Sequence, residues 1–278
     1  MLSTDDHRRD SAGLRYVYPV ISRRAGGVSI GINLNPNNAC NWACVYCQVE
    51  NLTRGGPPPI DLDCLERELA GFLDDALTGD FMQRQVPPEA RRLMDVAFSG
   101  NGEPTSAAEF AGAVSVVGKV LERFDQKGKL VVRLITNGSL MHRSDVQLGI
   151  RHLAKLGGEV WFKIDRATAE EVAEINGVPW QMAKTSKNLE ICAELAPTWV
   201  QTCWFALGGF APSLASRMAY CDLLRPLAGK LAGVHLYGLA RPSMQAAASR
   251  LNPLPVEVLA DFAGQIEKET GIRVIVSP

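Results

Sequence analysis

The chain has 278 residues, 46% of them hydrophobic, with a formal net charge of −1. That length and apolar fraction suffice for one large α/β core, and the balanced charge excludes the global basic surplus of a dedicated nucleic-acid binder. No stretch is long and apolar enough to span a bilayer, and Met1 to Arg15 lacks the apolar run of a signal peptide. The expectation is a soluble, cytoplasmic, non-membrane protein whose seven cysteines stay reduced. Composition says nothing about oligomeric state.

Taken in order, residues 1–27 read as an N-terminal arm with a short strand over 16–21, and residues 28–278 as one domain. Val28, Ile30, Ile32 and Leu34 alternate with Ser29, Gly31, Asn33 and Asn35, a half-polar strand pattern. Pro36 ends it, and a cysteine-rich loop follows. Gly55 to Pro59 is loop by composition. Asp61 can cap a helix whose face carries Leu62, Leu65, Leu69, Phe72 and Leu77. Strands are then expected over 93–98, 130–135, 160–164, 199–207 and 233–239. Helices are expected over 107–124, 145–155, 181–195 and 213–224, and a last helix over 255–270 precedes a short strand at 273–276. This alternation predicts parallel βα units and a partial α/β barrel, with the site at the C-terminal ends of the strands. An open doubly wound sheet is the alternative and puts the site at the same end.

The cysteine-rich loop runs Cys40-Asn41-Trp42-Ala43-Cys44-Val45-Tyr46-Cys47, three thiols spaced C-x3-C-x2-C. Three thiolates can hold three irons of a cubic [4Fe–4S] cluster, leaving the fourth iron open to a substrate or cofactor. A structural zinc site needs a fourth ligand nearby, and no histidine is close in sequence. A disulfide would leave one thiol over. Cys64, Cys192 and Cys221 fall in helical patterns and Cys203 in a strand pattern, where each reads as a small apolar residue.

Further unusual loops follow the next strands. Gly100-Asn101-Gly102-Glu103-Pro104 offers backbone polar groups at two glycines and a carboxylate that could receive an ammonium; otherwise it is a glycine turn opening a helix. Thr136-Asn137-Gly138-Ser139 is an Asn-Gly turn whose Asn137 and Ser139 could also bind a ligand. In the fourth strand Trp161, Lys163 and Asp165 share the face opposite Val160, Phe162 and Ile164. Lys163 and Asp165 therefore point inward near the mouth, as an ion pair or as substrate contacts, and a desolvated Lys163 has the chemistry for a Schiff base. Gln201 reads as a lining residue and His235 as a wall residue. Arg241 follows the sixth strand and could receive an oxyanion.

The cysteine spacing resembles the signature of the radical S-adenosylmethionine (SAM) superfamily. The resemblance implies a partial (β/α)6 TIM-like barrel in which SAM chelates the open iron and is cleaved reductively to methionine and a 5′-deoxyadenosyl radical. Gly100, Gly102, Glu103 and Pro104 are similar to that family's GGEP motif, which holds the SAM amino group, although Asn101 interrupts the paired glycines. The Thr136-Asn137-Gly138-Ser139 stretch is similar to its T-N-G segment, which puts Asn137 or Ser139 near the SAM ribose or carboxylate.

A closer resemblance, from Tyr18-Pro19-Val20-Ile21-Ser22-Arg23-Arg24 through Asn33-Leu34-Asn35-Pro36 and Cys44-Val45-Tyr46-Cys47-Gln48 to His235–Pro242, is to the wyosine-synthase-like group. It implies that Tyr46 packs beside the cluster while its backbone reaches the SAM adenine. That group's archaeal tRNA enzymes carry additional N-terminal cysteines for a second cluster. This chain has none before Cys40, so their tRNA activity is not carried over.

The expected activity is SAM cleavage acting on a small acidic or peptide substrate, with a flavodoxin or ferredoxin as reductant. A tRNA modifier, a glycyl-radical activase and a non-catalytic iron–sulfur electron-transfer or sensor protein are the alternatives.

Overall fold

The computed structural model describes residues 2, 13–22 and 26–277. Most of the expected arm, and the Arg23-Arg24 pair, lie outside the described residues. The chain divides into two compact units. The first is built from the chain up to Asn41, Gly55–Ile135 and Arg143–Glu159; the second is built from Trp42–Arg54, Thr136–His142 and the chain from Val160 on.

In the first unit, strands β1 (Val17–Ser22) and β2 (Gly27–Ile32) form an antiparallel pair. Strands β3 (Leu93–Phe98) and β4 (Val131–Thr136) follow in parallel, giving the order β1-β2-β3-β4. Helices α1 (Leu62–Leu77), α2 (Phe81–Gln85), α3 (Phe110–Arg123) and α4 (Ser144–Lys155) belong to the same unit. Asp61 caps α1 by accepting from the Cys64 amide at 2.9 Å, and Leu65, Leu69, Phe72 and Leu73 are buried at helical spacing.

The half-polar pattern of β2 does not leave a solvated face, because the whole strand is buried. Ser29 donates to Asp95, Asp95 pairs with Arg133, and Arg133 Nε reaches Glu159 Oε1 at 2.7 Å. Gly31 lies under the ring of Tyr18, which would collide with any larger side chain there. The polar positions thus face a paired network and a tyrosine, and burial is satisfied without apolar residues.

In the second unit, β5 (Glu159–Lys163), β6 (Thr198–Cys203), β8 (Gly233–Tyr237) and β10 (Val274–Ser277) are parallel in that order, with a two-residue antiparallel pair between β7 (Ala206–Leu207) and β9 (Leu251–Asn252). Its helices are α5 (Ala169–Asn176), α6 (Met182–Leu195), α7 (Leu214–Leu224) and α8 (Val256–Thr270). Each strand-to-helix step in both units is that of an α/β partial barrel, as expected. Register pairs Trp161 with Trp199 and Lys163 with Gln201, while Gln201 faces His235 and Cys203 faces Tyr237 across β6 and β8. The His235 ring lies 4.4 Å from Trp199 and 4.6 Å from Trp161. Trp161 and Trp199 thus share one level of the sheet face, Lys163, Gln201 and His235 stand one step further toward the strands' C-terminal ends, and Cys203 and Tyr237 one step beyond them.

Candidate functional site

In the first unit the chain leaves β2 and is shaped by asparagines. Asn33 Oδ1 accepts from the amides of Asn35 at 3.0 Å and Asn101 at 3.1 Å, while Asn101 Nδ2 donates to Asn38 Oδ1 at 2.7 Å. Asn35 Nδ2 donates to the Ala39 carbonyl at 2.9 Å, one residue before Cys40. These bonds tie the approach to Cys40 to the Gly100–Pro104 turn. Gly100 has φ +148°, a conformation that favours glycine, and a side chain at Gly102 would run into the Ala39 carbonyl and the Asn35 amide.

Glu103 is 3% exposed and opens the 3-10 turn Pro104–Ser106. Its Oε1 accepts from the Thr105 amide at 3.1 Å and the Thr105 hydroxyl at 2.6 Å. The carboxylate is therefore fixed in direction by its own helical turn, with Pro104 buried beside it.

The remainder of the cysteine loop belongs to the second unit. The amides of Ala43 and Val45 donate to the carbonyls of Asn176 and Ile175, at 3.0 and 2.8 Å. The Cys47 carbonyl accepts from the Met244 amide at 2.9 Å and from Gln245 Nε2 at 3.2 Å, and Ser243 Oγ donates to the Val45 carbonyl at 2.7 Å. The end of α5 and the segment after Arg241 thus hold the loop's backbone. Tyr46 donates its phenol to Asp165 Oδ2 at 2.5 Å and meets the Phe205 ring edge-on at 5.6 Å. Burial and then the Asp165 charge push the Tyr46 phenol well above the usual tyrosine range, consistent with its role as donor.

Asp165 is 1% exposed. Besides Tyr46 it accepts from Asn176 Nδ2 at 3.0 Å and the Cys203 amide at 2.9 Å, and Lys163 Nζ lies 4.0 Å away. Lys163 donates to the Tyr237 hydroxyl at 3.1 Å and sits 5.0 Å over the Tyr46 ring. Burial alone would lower the Lys163 ammonium, but Asp165, with Tyr237 and the nearby cysteines, outweighs it and raises Lys163 above its ordinary value. The Asp165 charge thus favours the protonated form of Lys163 in these surroundings. The structure brings Lys163, Asp165 and Tyr46 together; Arg241 stands half-buried on the segment after β8.

In the Thr136–Ser139 turn, Asn137 Oδ1 accepts from the Ser139 amide at 3.0 Å and the Ser139 hydroxyl at 2.7 Å. Gly138 has φ +70° and lies against the Phe162 ring with no room for a side chain.

No disulfide joins Cys40, Cys44 or Cys47, each half-buried, and among the described residues no group of three or more His, Cys, Asp or Glu side chains could hold a single metal ion. A cubic cluster does not require such a group, because each cysteine takes its own iron. The donor set fits a cluster better than zinc. Burial, then the Asp165 charge, pushes the Cys44 thiol up to about 12, so ligation there must displace a tightly held proton. Cys192, Cys203 and Cys221 are buried.

Two groups of residues were not legible as site residues. The Asn33 and Asn35 side chains act through contacts 68 and 71 positions away. Asn176 ends a helix that the periodicity did not reveal. Its start carried a signal nonetheless: Thr168-x-x-Glu171 is a capping box, and the Thr168 hydroxyl accepts from the Glu171 amide.

No family model matches the sequence. GTPase Obg of Brachyspira hyodysenteriae is 27% identical over 132 residues, 46% of this chain and 16% of that protein. UPF0026 protein MJ1312 of Methanocaldococcus jannaschii is 29% identical over 158 residues, 57% of this chain and 42% of that protein. The chain thus spans less than half the length of these curated relatives. Among solved structures, a radical SAM methyltransferase from Sphaerobacter thermophilus superposes with a TM-score of 0.61 at 14% identity, covering 94% of this chain and 68% of its own. A histidine-tagged anSMEcpe with bound AdoMet superposes at 0.55 and 17% identity, covering 89% and 63%. The fold is therefore the partial TIM-like α/β barrel of these proteins.

Proposed function

We propose that this chain is a radical SAM enzyme that binds one [4Fe–4S] cluster through Cys40, Cys44 and Cys47 and acts on a small acidic or peptide substrate. The observation that carries the reading is the C-x3-C-x2-C loop on a fold similar over 94% of its length to a radical SAM methyltransferase. Such a cluster, when bound, supplies the electron that cleaves SAM to methionine and a 5′-deoxyadenosyl radical.

The chain's own residues bind and orient. Gly100 and Gly102 give SAM a close approach to backbone, with Pro104 stiffening the turn. Glu103, held by Thr105, receives the SAM ammonium. Asn137 and Ser139 contact its ribose or carboxylate, and the Tyr46 backbone meets the adenine while its ring flanks the cluster. Lys163 and Arg241 receive a substrate carboxylate or phosphate, and Asp165 orients Lys163.

In the same reading residues 28–278 form the catalytic domain behind the arm over 1–27. The chain belongs near the wyosine-synthase-like group without its second cluster. It works in the cytoplasm, and a flavodoxin or ferredoxin reduces it. The near-neutral charge favours a small substrate over tRNA.

Anaerobic reconstitution is expected to give about four irons per chain, and adding SAM with dithionite to give 5′-deoxyadenosine. Four irons without 5′-deoxyadenosine would point instead to an electron-transfer protein. A Cys40→Ala, Cys44→Ala, Cys47→Ala variant that still held a full cluster would refute the assignment.

A further inference from the structure

Asn176 is 1% exposed and ends α5, where its backbone carbonyl already anchors the Ala43 amide. Its side chain turns back to the same loop. Nδ2 donates to Cys44 Sγ at 3.2 Å and to Asp165 Oδ2 at 3.0 Å. Both partners are acceptors, a sulfur and a carboxylate, so the amide must present its nitrogen, and both of its hydrogens are used. Asp165 is itself fixed by Tyr46 and the Cys203 amide. The donor aimed at Cys44 is therefore held from two sides, and the helix behind it stops at Gly177 in the left-handed conformation, φ +66°.

A buried amide held at this distance from one ligand sulfur exceeds what the fold needs to pin the loop, because the backbone bonds of Ala43 and Val45 already do that. Hydrogen bonds to the sulfurs are among the levers that set iron–sulfur potentials, since a donor disperses the extra negative charge of the reduced state. We infer that Asn176 is a positioning residue that raises the reduction potential of a cluster ligated by Cys44, through an N–H···S hydrogen bond. The inference rests on the proposed cluster at Cys40, Cys44 and Cys47. It adds a residue that touches neither SAM nor substrate.

The test is a dithionite redox titration of reconstituted protein, followed by electron paramagnetic resonance without SAM. Asn176→Leu keeps the size of the side chain and removes its donor. It is expected to load iron as the wild type does but to show a more negative midpoint. Asn176→Gln, which keeps the amide on a longer arm, is expected to recover part of the shift. Asn176→Ala, small enough to fit the same space and without a donor, serves if the leucine variant does not fold. An unchanged midpoint in a loaded leucine or alanine variant overturns the inference. So does loss of loading in both, which would make Asn176 a folding residue. Failure of the wild type to load iron would instead overturn the cluster reading and this inference with it. Wild-type iron content thus tells the two failures apart.

Discussion

Tyr46 and Asp165, 119 positions apart, share a 2.5 Å hydrogen bond from phenol to carboxylate. This bond joins the middle of the cysteine loop to the end of β5. Asp165 gathers the Asn176 amide and the Cys203 backbone at the same point. A single buried carboxylate therefore organises the loop, the end of α5, the end of β6 and the Lys163 ammonium, all within one unit.

Removing that carboxylate leaves Lys163 without its counter-ion and three donors without an acceptor. Breaking a buried pair from one side costs about 3–5 kcal/mol. Asp165→Ala is expected to lower the unfolding free energy of the cluster-free protein by roughly that amount, and Asp165→Asn by less, because the amide oxygen can still accept. Denaturant melts of the three proteins check this. A loss well under 1 kcal/mol in the alanine variant would show that the carboxylate is not the hub of the loop.

Gly102 makes a second, independent prediction in the other unit. A Cβ there meets the Ala39 carbonyl and the Asn35 side chain, and both are backbone-anchored. Gly102→Ala is expected to fold with a cost of about 1–3 kcal/mol, the usual range for overpacking, and to retain less iron than the wild type because Ala39 adjoins Cys40. Wild-type melting and iron retention in this variant would mean that the turn yields freely.

The sheet and most helices were legible because their signals are local. Asp61 before Leu62, the Leu65–Leu69–Phe72 spacing and the Leu93–Phe98 run gave elements that the structure reproduces within a few residues. Strand parity gave the shared face of Trp161 and Lys163 for the same reason. The site's supports were harder to read because they are set by distant partners. Nothing near Asn33 in sequence reveals that it accepts from the Asn101 amide, and nothing near Asp165 names Tyr46. Helix α5 was missed because eight residues carry only Val172 and Ile175 as apolar buried positions, too few for a period, while its capping box stood in plain view.

Glu103 carries the prediction for SAM. Thr105 holds one of its oxygens through two hydrogen bonds, so the carboxylate is pre-oriented, and replacing it leaves no other acid in the Gly100–Thr105 stretch. A hydrogen bond to a charged group is worth about 1.5–3 kcal/mol. Glu103→Ala is expected to weaken SAM binding at least about tenfold while iron content stays at the wild-type level. Calorimetric titration of SAM into both reconstituted proteins checks it. Equal affinities would remove Glu103 from the SAM site.

Lys163 and Arg241 carry the prediction for substrate. Asp165 keeps Lys163 charged against the pull of burial, and the Tyr46 and Tyr237 rings lie 5.0 and 5.7 Å from its ammonium. An ammonium between two aromatic faces keeps its charge and is pre-oriented for an oxyanion. Arg241 would add a planar fork that reads a carboxylate or phosphate by two parallel bonds. Each truncation should therefore cost affinity for an anionic substrate more than it costs SAM cleavage. Lys163→Ala and Arg241→Ala are expected to keep uncoupled 5′-deoxyadenosine formation within about threefold of wild type, and to lose roughly tenfold or more in substrate turnover, the worth of one charge-assisted hydrogen bond. Lys163→Arg, which restores the charge but not the compact ammonium between the two rings, should recover only part of it. Turnover at the wild-type level in both alanine variants would show that neither cation meets the substrate. Tight tRNA binding by the wild type at physiological salt would overturn the preference for a small substrate, because such affinity needs several phosphate contacts over a wider basic surface.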